Sequence, residues 1–390
     1  MITPAPIQSA ALFLTQNCNL RCAYCYTGEK KNLPMTLETA QQAIDFLHEH
    51  SEKQCNITFL GGEPLLEFKL LCNIARYSRD KYGRYFNFRL STNGTLLTKK
   101  VLSFFREHRI YFALSIDGNR KQHDSQRKFA NNRGSYDTIM DNLDDIFEFN
   151  PYTMAVSVIT PETVNHVSAG AKSLFAEGFR YVLQTLDYSA DWKKEHLKTL
   201  KEQYTILAEY YYHKLMDGKK IHYGPFDERI RTWAQKPYQK GDLCDIANTH
   251  IAVAPSGRLY PCVQFIGEDR AKWKDNSIGD VFSGFDNDRR ISYIEDNYRE
   301  KQSCKGCALD GRCANFCGCV NWQATGNVDQ VPPIICEHER MLMPIADRLA
   351  NRLWKRNSSL FKRKFYQKIF PFSSYIEDCL LADGGSNAAD

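Results

Sequence analysis

Between Ala10 and about Tyr223 the chain repeats one pattern six times: a short apolar run, then a longer amphipathic stretch. The runs are Ala10–Thr15, Asn56–Leu60, Asn87–Ser91, Tyr111–Ile116, Met154–Ile159 and Tyr181–Thr185. The stretches between them read as helices. In Leu37–His50, the apolar residues Ala40, Ala43, Ile44 and Leu47 fall on one stripe at helical spacing. Leu65–Tyr82, Thr98–His108, Ser135–Phe149, Thr163–Glu177 and Trp192–Met216 follow the same rule. Thr36 ahead of Thr39, and Thr98, are helix-start signals. Strand–helix units in series imply an α/β fold, a parallel sheet with helices outside. Six units fall short of a full eight-fold barrel. In α/β barrels functional residues gather at the C-terminal ends of strands.

At 390 residues the chain exceeds what one core usually serves, so two domains are expected. Its net charge of +5 is mild and does not call for nucleic acid. No apolar run is long enough to cross a bilayer, and Met1–Ala10 lacks the features of a signal peptide. A cytoplasmic location is therefore expected. In that reducing setting the 14 cysteines read as metal ligands rather than disulfides. Three lie at 18–25 and eight between Cys244 and Cys336. Cys55, Cys72 and Cys379 stand apart and read as packed or surface residues.

The first group is Cys18-Asn19-Leu20-Arg21-Cys22-Ala23-Tyr24-Cys25, just after the first strand. Three thiolates at this spacing can hold one face of an iron–sulfur cube. Such clusters normally take four cysteines, so the fourth iron is open to a ligand that is also a reactant. A zinc site or scattered buried thiols are the alternatives. The spacing resembles that of the radical S-adenosylmethionine (SAM) superfamily. The resemblance implies a partial (β/α)6 TIM barrel, open at one side to admit a large substrate. It also implies that the open iron chelates SAM. One electron then splits SAM to methionine and a 5′-deoxyadenosyl radical, which takes hydrogen from the substrate. An electron donor such as flavodoxin or ferredoxin is expected.

Other motifs agree. The second strand ends in Gly61-Gly62-Glu63-Pro64, and glycines let a backbone approach a ligand closely. The resemblance gives Gly62 and Glu63 the methionine ammonium of SAM, and Tyr24 a place near the adenine. The third and fourth strands end in Ser91-Thr92-Asn93-Gly94 and Ser115-Ile116-Asp117-Gly118. Ser115 and Arg127 match a serine and an arginine that contact SAM in anaerobic sulfatase-maturating enzymes. A guanidinium fork suits the methionine carboxylate. Gln184 and Leu186, on the sixth strand, would close the adenine side. Taken alone, Tyr24 reads as a core tyrosine and Arg127 as a surface charge.

In the second group, Cys244 is followed by Gly257 and Cys262, then Cys304, Cys307, Cys313 and Cys317, and finally Cys336. This order resembles the cysteine-rich SPASM domain of peptide-modifying radical SAM enzymes, although paired cysteines also grip zinc. The resemblance implies that Cys304, Cys307, Cys313 and Cys336 hold one auxiliary [4Fe-4S] cluster. Cys244, Cys262 and Cys317 hold another, whose fourth ligand is His250, Cys319, the substrate or none. With the SAM-binding cluster that makes three. The expected domains are a radical SAM barrel at 8–225, a SPASM domain at 226–345, and a basic helical tail with a disordered end at 346–390. Arg352–Lys368 carries seven cations and no acid. It reads as a solvated face or a surface for an acidic leader peptide.

The function implied is oxidative modification or crosslinking of a ribosomally made precursor peptide. A sulfatase-maturating enzyme, forming formylglycine from Cys or Ser, is the alternative. A non-enzymatic iron–sulfur or zinc protein is a third. Sulfatase maturases carry aspartate after the second SPASM cysteine; this chain reads Tyr260-Pro261-Cys262-Val263, and valine takes no proton. Glu268 and Asp269 would serve only if the loop folded back. About ten residues precede the first strand, so a leader-binding domain is expected as a separate protein or not at all.

Overall fold

The computed structural model describes residues 2–384 apart from 236, 239–242, 268 and 270–275, with side chains to 379. In chain order the strands are β1 (Ser9–Phe13), β2 (Leu20–Cys22), β3 (Cys55–Leu60), β4 (Phe86–Thr92), β5 (Tyr111–Ser115), β6 (Arg127–Phe129), β7 (Met154–Ile159), β8 (Tyr181–Leu186), β9 (His222–Tyr223), β10 (His250–Val253) and β11 (Leu259–Tyr260). The helices that follow β1 to β8 are α1 (Leu37–Glu49), α2 (Phe68–Tyr82), α3 (Lys99–His108), α4 (Arg120–Gln126), α5 (Tyr136–Met140), α6 (Leu143–Phe149), α7 (Val167–Ala176) and α8 (Lys194–Met216). Beyond them lie α9 (Gly224–Ala234), α10 (Asn287–Tyr298), α11 (Gly318–Thr325), α12 (Pro333–Lys355), α13 (Ser359–Tyr366) and α14 (Phe370–Gly384).

One sheet runs β11-β10-β1-β3-β4-β5-β7-β8-β9, parallel throughout except for β11. Its strands are two-sided. Cys55, Ile57 and Phe59 of β3, with Phe86, Phe88 and Leu90 of β4, are buried in the core with α1 and α2, and the Phe59 and Phe88 rings stack at 5.3 Å. Side chains alternate along a strand. Asn56 and Thr58 of β3 and Asn87, Arg89 and Ser91 of β4 therefore share the other face and keep solvent contact. The helix starts follow from short-range chemistry. Thr36 and Thr98 cap α1 and α3 by accepting from the backbone N–H of Thr39 and Val101.

Three of the six expected helices are interrupted. Residues 135–149 form α5 and α6 because the Asn142 amide turns back onto the Thr138 carbonyl at the joint. Residues 65–82 open with a 3-10 turn, Pro64–Glu67, because Glu63 accepts from Leu65 N–H. Residues 163–177 open with another, Pro161–His166, where Thr163 Oγ1 accepts from Thr160 N–H.

The sheet also exceeds six strands. From within the cysteine-rich region, β10 pairs with β1 in register Ser9↔His250, and Ile251, Ala252 and Val253 are wholly buried. Helix α12, which carries Cys336, packs on α8 and α9. The basic run is only partly a solvated face. Lys364 is half-buried against Asp227, Arg363 pairs with Glu377, and Arg352 with Glu209. The expected disorder from Asp383 meets α14, which reaches Gly384; the remainder of that stretch lies outside the described residues. Among the described residues no helix is long and apolar enough to cross a membrane.

Candidate functional site

The loop Cys18–Cys25 is held from two sides. On one, β2 pairs with β6, and the register Cys22↔Arg127 sets the arginine beside the cysteine. On the other, Gly62 N–H donates to Thr15 O and Glu63 N–H to Asn17 O, each at 2.9 Å. A Cβ on Gly62 would lie 2.2 Å from Asn17 O and 2.9 Å from Cys18 Cβ. Only glycine lets these two loops approach so closely.

The result is a cavity of about 440 Å³ at the C-terminal ends of β3, β4, β5, β7 and β8. Cys18, Cys22, Cys25, Tyr24, Gly62, Glu63, Ser115, Arg127 and Leu186 all line it. Gln184 does not. It is buried beneath, donating to Ser157 Oγ and accepting from Tyr223 O–H.

One buried carboxylate, Glu63, lines the cavity, and another, Asp117, stands behind its lining residues. Glu63 is 1% exposed and accepts from Leu65 N–H, Asn93 N–H and Thr92 O–H. Burial nonetheless pushes it up to about 7. Asp117 is fully buried; it accepts from Val158 N–H at 2.9 Å, Arg127 Nε at 3.0 Å and Tyr24 O–H. The Arg127 guanidinium also lies 5.4 Å from the Tyr24 ring centre. Asp117 thus fixes Tyr24 and Arg127, two of the residues expected at SAM.

The thiols differ. Burial pushes Cys18 up to about 11 and also raises Cys22, against Arg127. At Cys25 burial again acts upward, but hydrogen bonds from Lys30, at 2.9 Å, and Thr27 outweigh it and the thiol is lowered.

The later cysteines gather into two sets. Cys304, Cys307, Cys313 and Cys336 line one small cavity. In the other set, Cys317 and Cys319 sulfurs lie 3.4 Å apart, Cys244 is hydrogen-bonded to Cys317, and Cys262 to Cys319 and His250. The His250 Nδ1 is bonded to Ser9 Oγ at 2.9 Å. Four sulfurs so close cannot all ionise without a cation among them. The bonds to Cys262 and Cys317 push Cys319 up, while Cys262 falls to about 5 by accepting from Cys319. Apart from these sets, Cys55 and Cys72 are packed in the core and Cys379 is exposed.

The Radical SAM superfamily matches residues 12–174. This chain carries a radical SAM domain. An uncharacterized protein of Methanocaldococcus jannaschii is 33% identical to it over 190 residues, 48% of this chain. That match spans 64% of the relative, slightly under two thirds. A cysteine-type anaerobic sulfatase-maturating enzyme of Clostridium novyi is 23% identical over 78% of this chain and 85% of its own. The radical SAM cyclopropyl synthase TigE of Paramaledivibacter caminithermalis is 20% identical over 92% and 76%. Among solved structures, anSMEcpe with bound AdoMet superimposes with a TM-score of 0.77 at 17% identity, over 92% of this chain and 98% of that one. Streptococcus suis SuiB bound to precursor peptide SuiA gives 0.60 at 13%, over 85% and 76%. At these identities the structural likeness establishes the α/β fold with its parallel sheet.

A radical SAM domain implies a [4Fe-4S] cluster, and the residues present fit it. Three thiols free of disulfides, beside a glycine-cleared approach, match the soft ligands such a cluster takes. Sequence reasoning missed Lys30, whose link to Cys25 carries no periodic signal. It also missed Asp187 and Tyr188, just past β8, which line the cavity. Their place after a predicted strand was the available sign. Asp187 Oδ1 accepts from Ser189, and among the described residues its other oxygen has no partner.

Proposed function

We propose that this enzyme oxidatively modifies or crosslinks residues of a ribosomally made peptide, using SAM and three [4Fe-4S] clusters. In this reading residues 8–225 are a partial (β/α)6 barrel, 226–345 a SPASM domain and 346–390 a helical tail. One observation carries it. The cavity lined by Cys18, Cys22 and Cys25 is closed on another side by Gln264, two residues past Cys262, and by Val320 and Gln323, one and four past Cys319. A peptide held there touches the Cys18 loop and the surroundings of Cys262 and Cys319, which suits removal of a hydrogen and then of an electron.

Bound SAM and its cluster supply the hydrogen-abstracting radical, and the chemistry is theirs. The protein orients. Gly62 and Glu63 would hold the methionine ammonium, Arg127 and Ser115 the carboxylate, and Tyr24 and Leu186 the adenine. Asp117 holds Arg127 and Tyr24 in place. In the second set Cys319 is the fourth ligand, because its sulfur already touches two of the other three. His250 steers Cys262 from outside. Anaerobic reconstitution is expected to give about twelve iron per chain, four to each cluster.

Peptide binding is supported by the solved structures that hold peptides, anSMEcpe with Cp18Cys and SuiB with SuiA. A second reading, sulfatase maturation, is supported as well by the likeness to the Clostridium novyi enzyme. Against it, Val263 offers no base, and Asp269 is taken by Ser256 and Tyr260, while Glu268 lies outside the described residues. The test offers reduced enzyme and SAM two peptides, a Cys- or aromatic-rich precursor encoded beside the gene and a Cys-x-Pro-x-Arg peptide. Loss of two hydrogens per bond in the first supports the proposal. Catalytic formylglycine in the second would transfer it to the sulfatase reading.

A further inference from the structure

At the N-terminal ends of β3, β4 and β5 lies a second cavity, of about 490 Å³. None of the residues expected at SAM or at a cluster lines it. Its floor is the solvent-facing side of those strands. Asn56 stands opposite Asn87, and Arg89 opposite Tyr111, in register. Its rim is arginine. Arg79 comes from the end of α2, Arg84 from the turn into β4, and Arg109 from the turn between α3 and β5, where its φ is 54°. Four guanidinium groups thus line one concavity, and no Asp or Glu lines it.

Among the described residues these arginines lack carboxylate partners. Arg79 donates only to the carbonyls of Gly83 and His108, at 3.3 and 3.4 Å. Burial, with Arg84 and Arg109 nearby, holds it below the usual arginine range. The same end of the sheet is treated differently a few strands away. Before β8 and β9, Arg180 and Lys220 are met by Asp378 of α14, and Lys220 also by Glu377 at 2.9 Å. There the fold supplies its own anions. At β3–β5 it leaves like charges facing each other, which costs free energy unless an anion is present.

The chemistry of that anion can be read from the donors. Arginine forks pair bidentately with phosphate or carboxylate oxygens. The Asn56 and Asn87 amides add donors on the floor. The volume falls within the range of small-molecule sites rather than that of an extended charged surface. We propose that this cavity binds a small multivalent oxyanion, a phosphate-bearing or polycarboxylate metabolite, at the end of the sheet opposite the cysteine cavity. The site stands whichever peptide or protein the enzyme modifies.

The test is calorimetric titration of the full-length, cluster-loaded enzyme at low salt with pyrophosphate, citrate and a hexaglutamate peptide. One-site binding of pyrophosphate or citrate, weakened by salt, is expected. Pyrophosphate alone would mark a phosphate-bearing ligand, citrate alone a polycarboxylate. The Arg84→Gln/Arg89→Gln enzyme should bind at least tenfold more weakly while still cleaving SAM, and Lys99→Gln, outside the cavity, should bind as the parent does. Saturable binding by neither small anion, binding indifferent to the double substitution, or binding of hexaglutamate only would overturn the proposal.

Discussion

Asp117→Asn is the most informative single change near the cysteine loop. The side chain keeps its shape and Oδ1 can still accept from Val158 N–H. The other oxygen, which accepts from Arg127 Nε and Tyr24 O–H, becomes an NH2 group facing two donors. Arg127 is 7% exposed, and its further contact, Nη1 to Cys22 Sγ, is long at 3.9 Å. The guanidinium is left buried without its counter-charge. Breaking such a pair from one side costs about 3–5 kcal/mol, whereas removing both charges is often close to neutral. Asp117→Asn should therefore lower the unfolding free energy by about that amount. Adding Arg127→Met should return much of it. The assay is anaerobic urea unfolding of cluster-loaded protein, read by circular dichroism, with SAM affinity measured alongside. SAM binding should weaken in both variants, since both lose the held guanidinium. A cost below about 1 kcal/mol for Asp117→Asn, the range of exposed pairs, would refute the reasoning. So would single costs that simply add in the double variant.

Gly62→Ala should lower iron and SAM binding together, because the new methyl meets the backbone of Asn17, which cannot swing aside; unaltered iron content would count against the close approach. His123, held by Asp117 N–H and Ser135 Oγ, is pushed by burial from 6.5 down to about 4. Its folded pKa is depressed, so its contribution is complete above about pH 6.5 and drains away towards pH 4, by about 3 kcal/mol. His123→Gln should flatten that part of the stability–pH curve, and an equally steep curve would place the loss elsewhere. Cys319→Ala should change the iron count and electron paramagnetic resonance of one auxiliary cluster while sparing SAM cleavage; if His250→Ala does this instead, the fourth ligand is the histidine. Asp187→Asn should reduce product more than SAM cleavage if its unpartnered oxygen accepts the substrate proton, and equal loss of both would make it a SAM-positioning group.

What could be read beforehand depended on the range of the interactions. Strands β1, β3, β4, β5, β7 and β8 and helix α8 follow from apolar period, and α1 and α3 from threonine caps as well, both local. The cavity residues were reachable because each sits at a strand end, where the fold collects its functional groups. The anchor role of Asp117 was not, since its partners Tyr24 and Arg127 come from β2's loop and β6, 103 positions apart in sequence. Strand β10 escaped for another reason. His250-Ile251-Ala252-Val253 is four residues long and pairs with β1 across more than two hundred positions. Its burial is conferred by tertiary contact rather than announced by period. The interrupted helices likewise turn on single side chains, Asn142, Glu63 and Thr163, competing with the ladder.

The place of β10 bears on how the two cysteine groups communicate. Strand β1 leads into the Cys18 loop, and β10 begins at His250, which bonds both Ser9 of β1 and the Cys262 sulfur. The second cysteine set is therefore fixed to the same sheet that fixes the first, not hung from a linker. On the far side, α12 carries Cys336 and, two residues on, His338, hydrogen-bonded to Tyr188 at the cavity wall and to Tyr204 of α8, each at 3.1 Å. Glu339 beside it holds Arg229 of α9. The Cys336 set thus reaches the cavity wall through His338 and Tyr188, and the Cys262 set reaches β1 through His250 and Ser9. In the proposed reading, the Cys18 loop and the neighbours of Cys262 and Cys319 share one cavity because a hydrogen and then an electron are to leave the same residue.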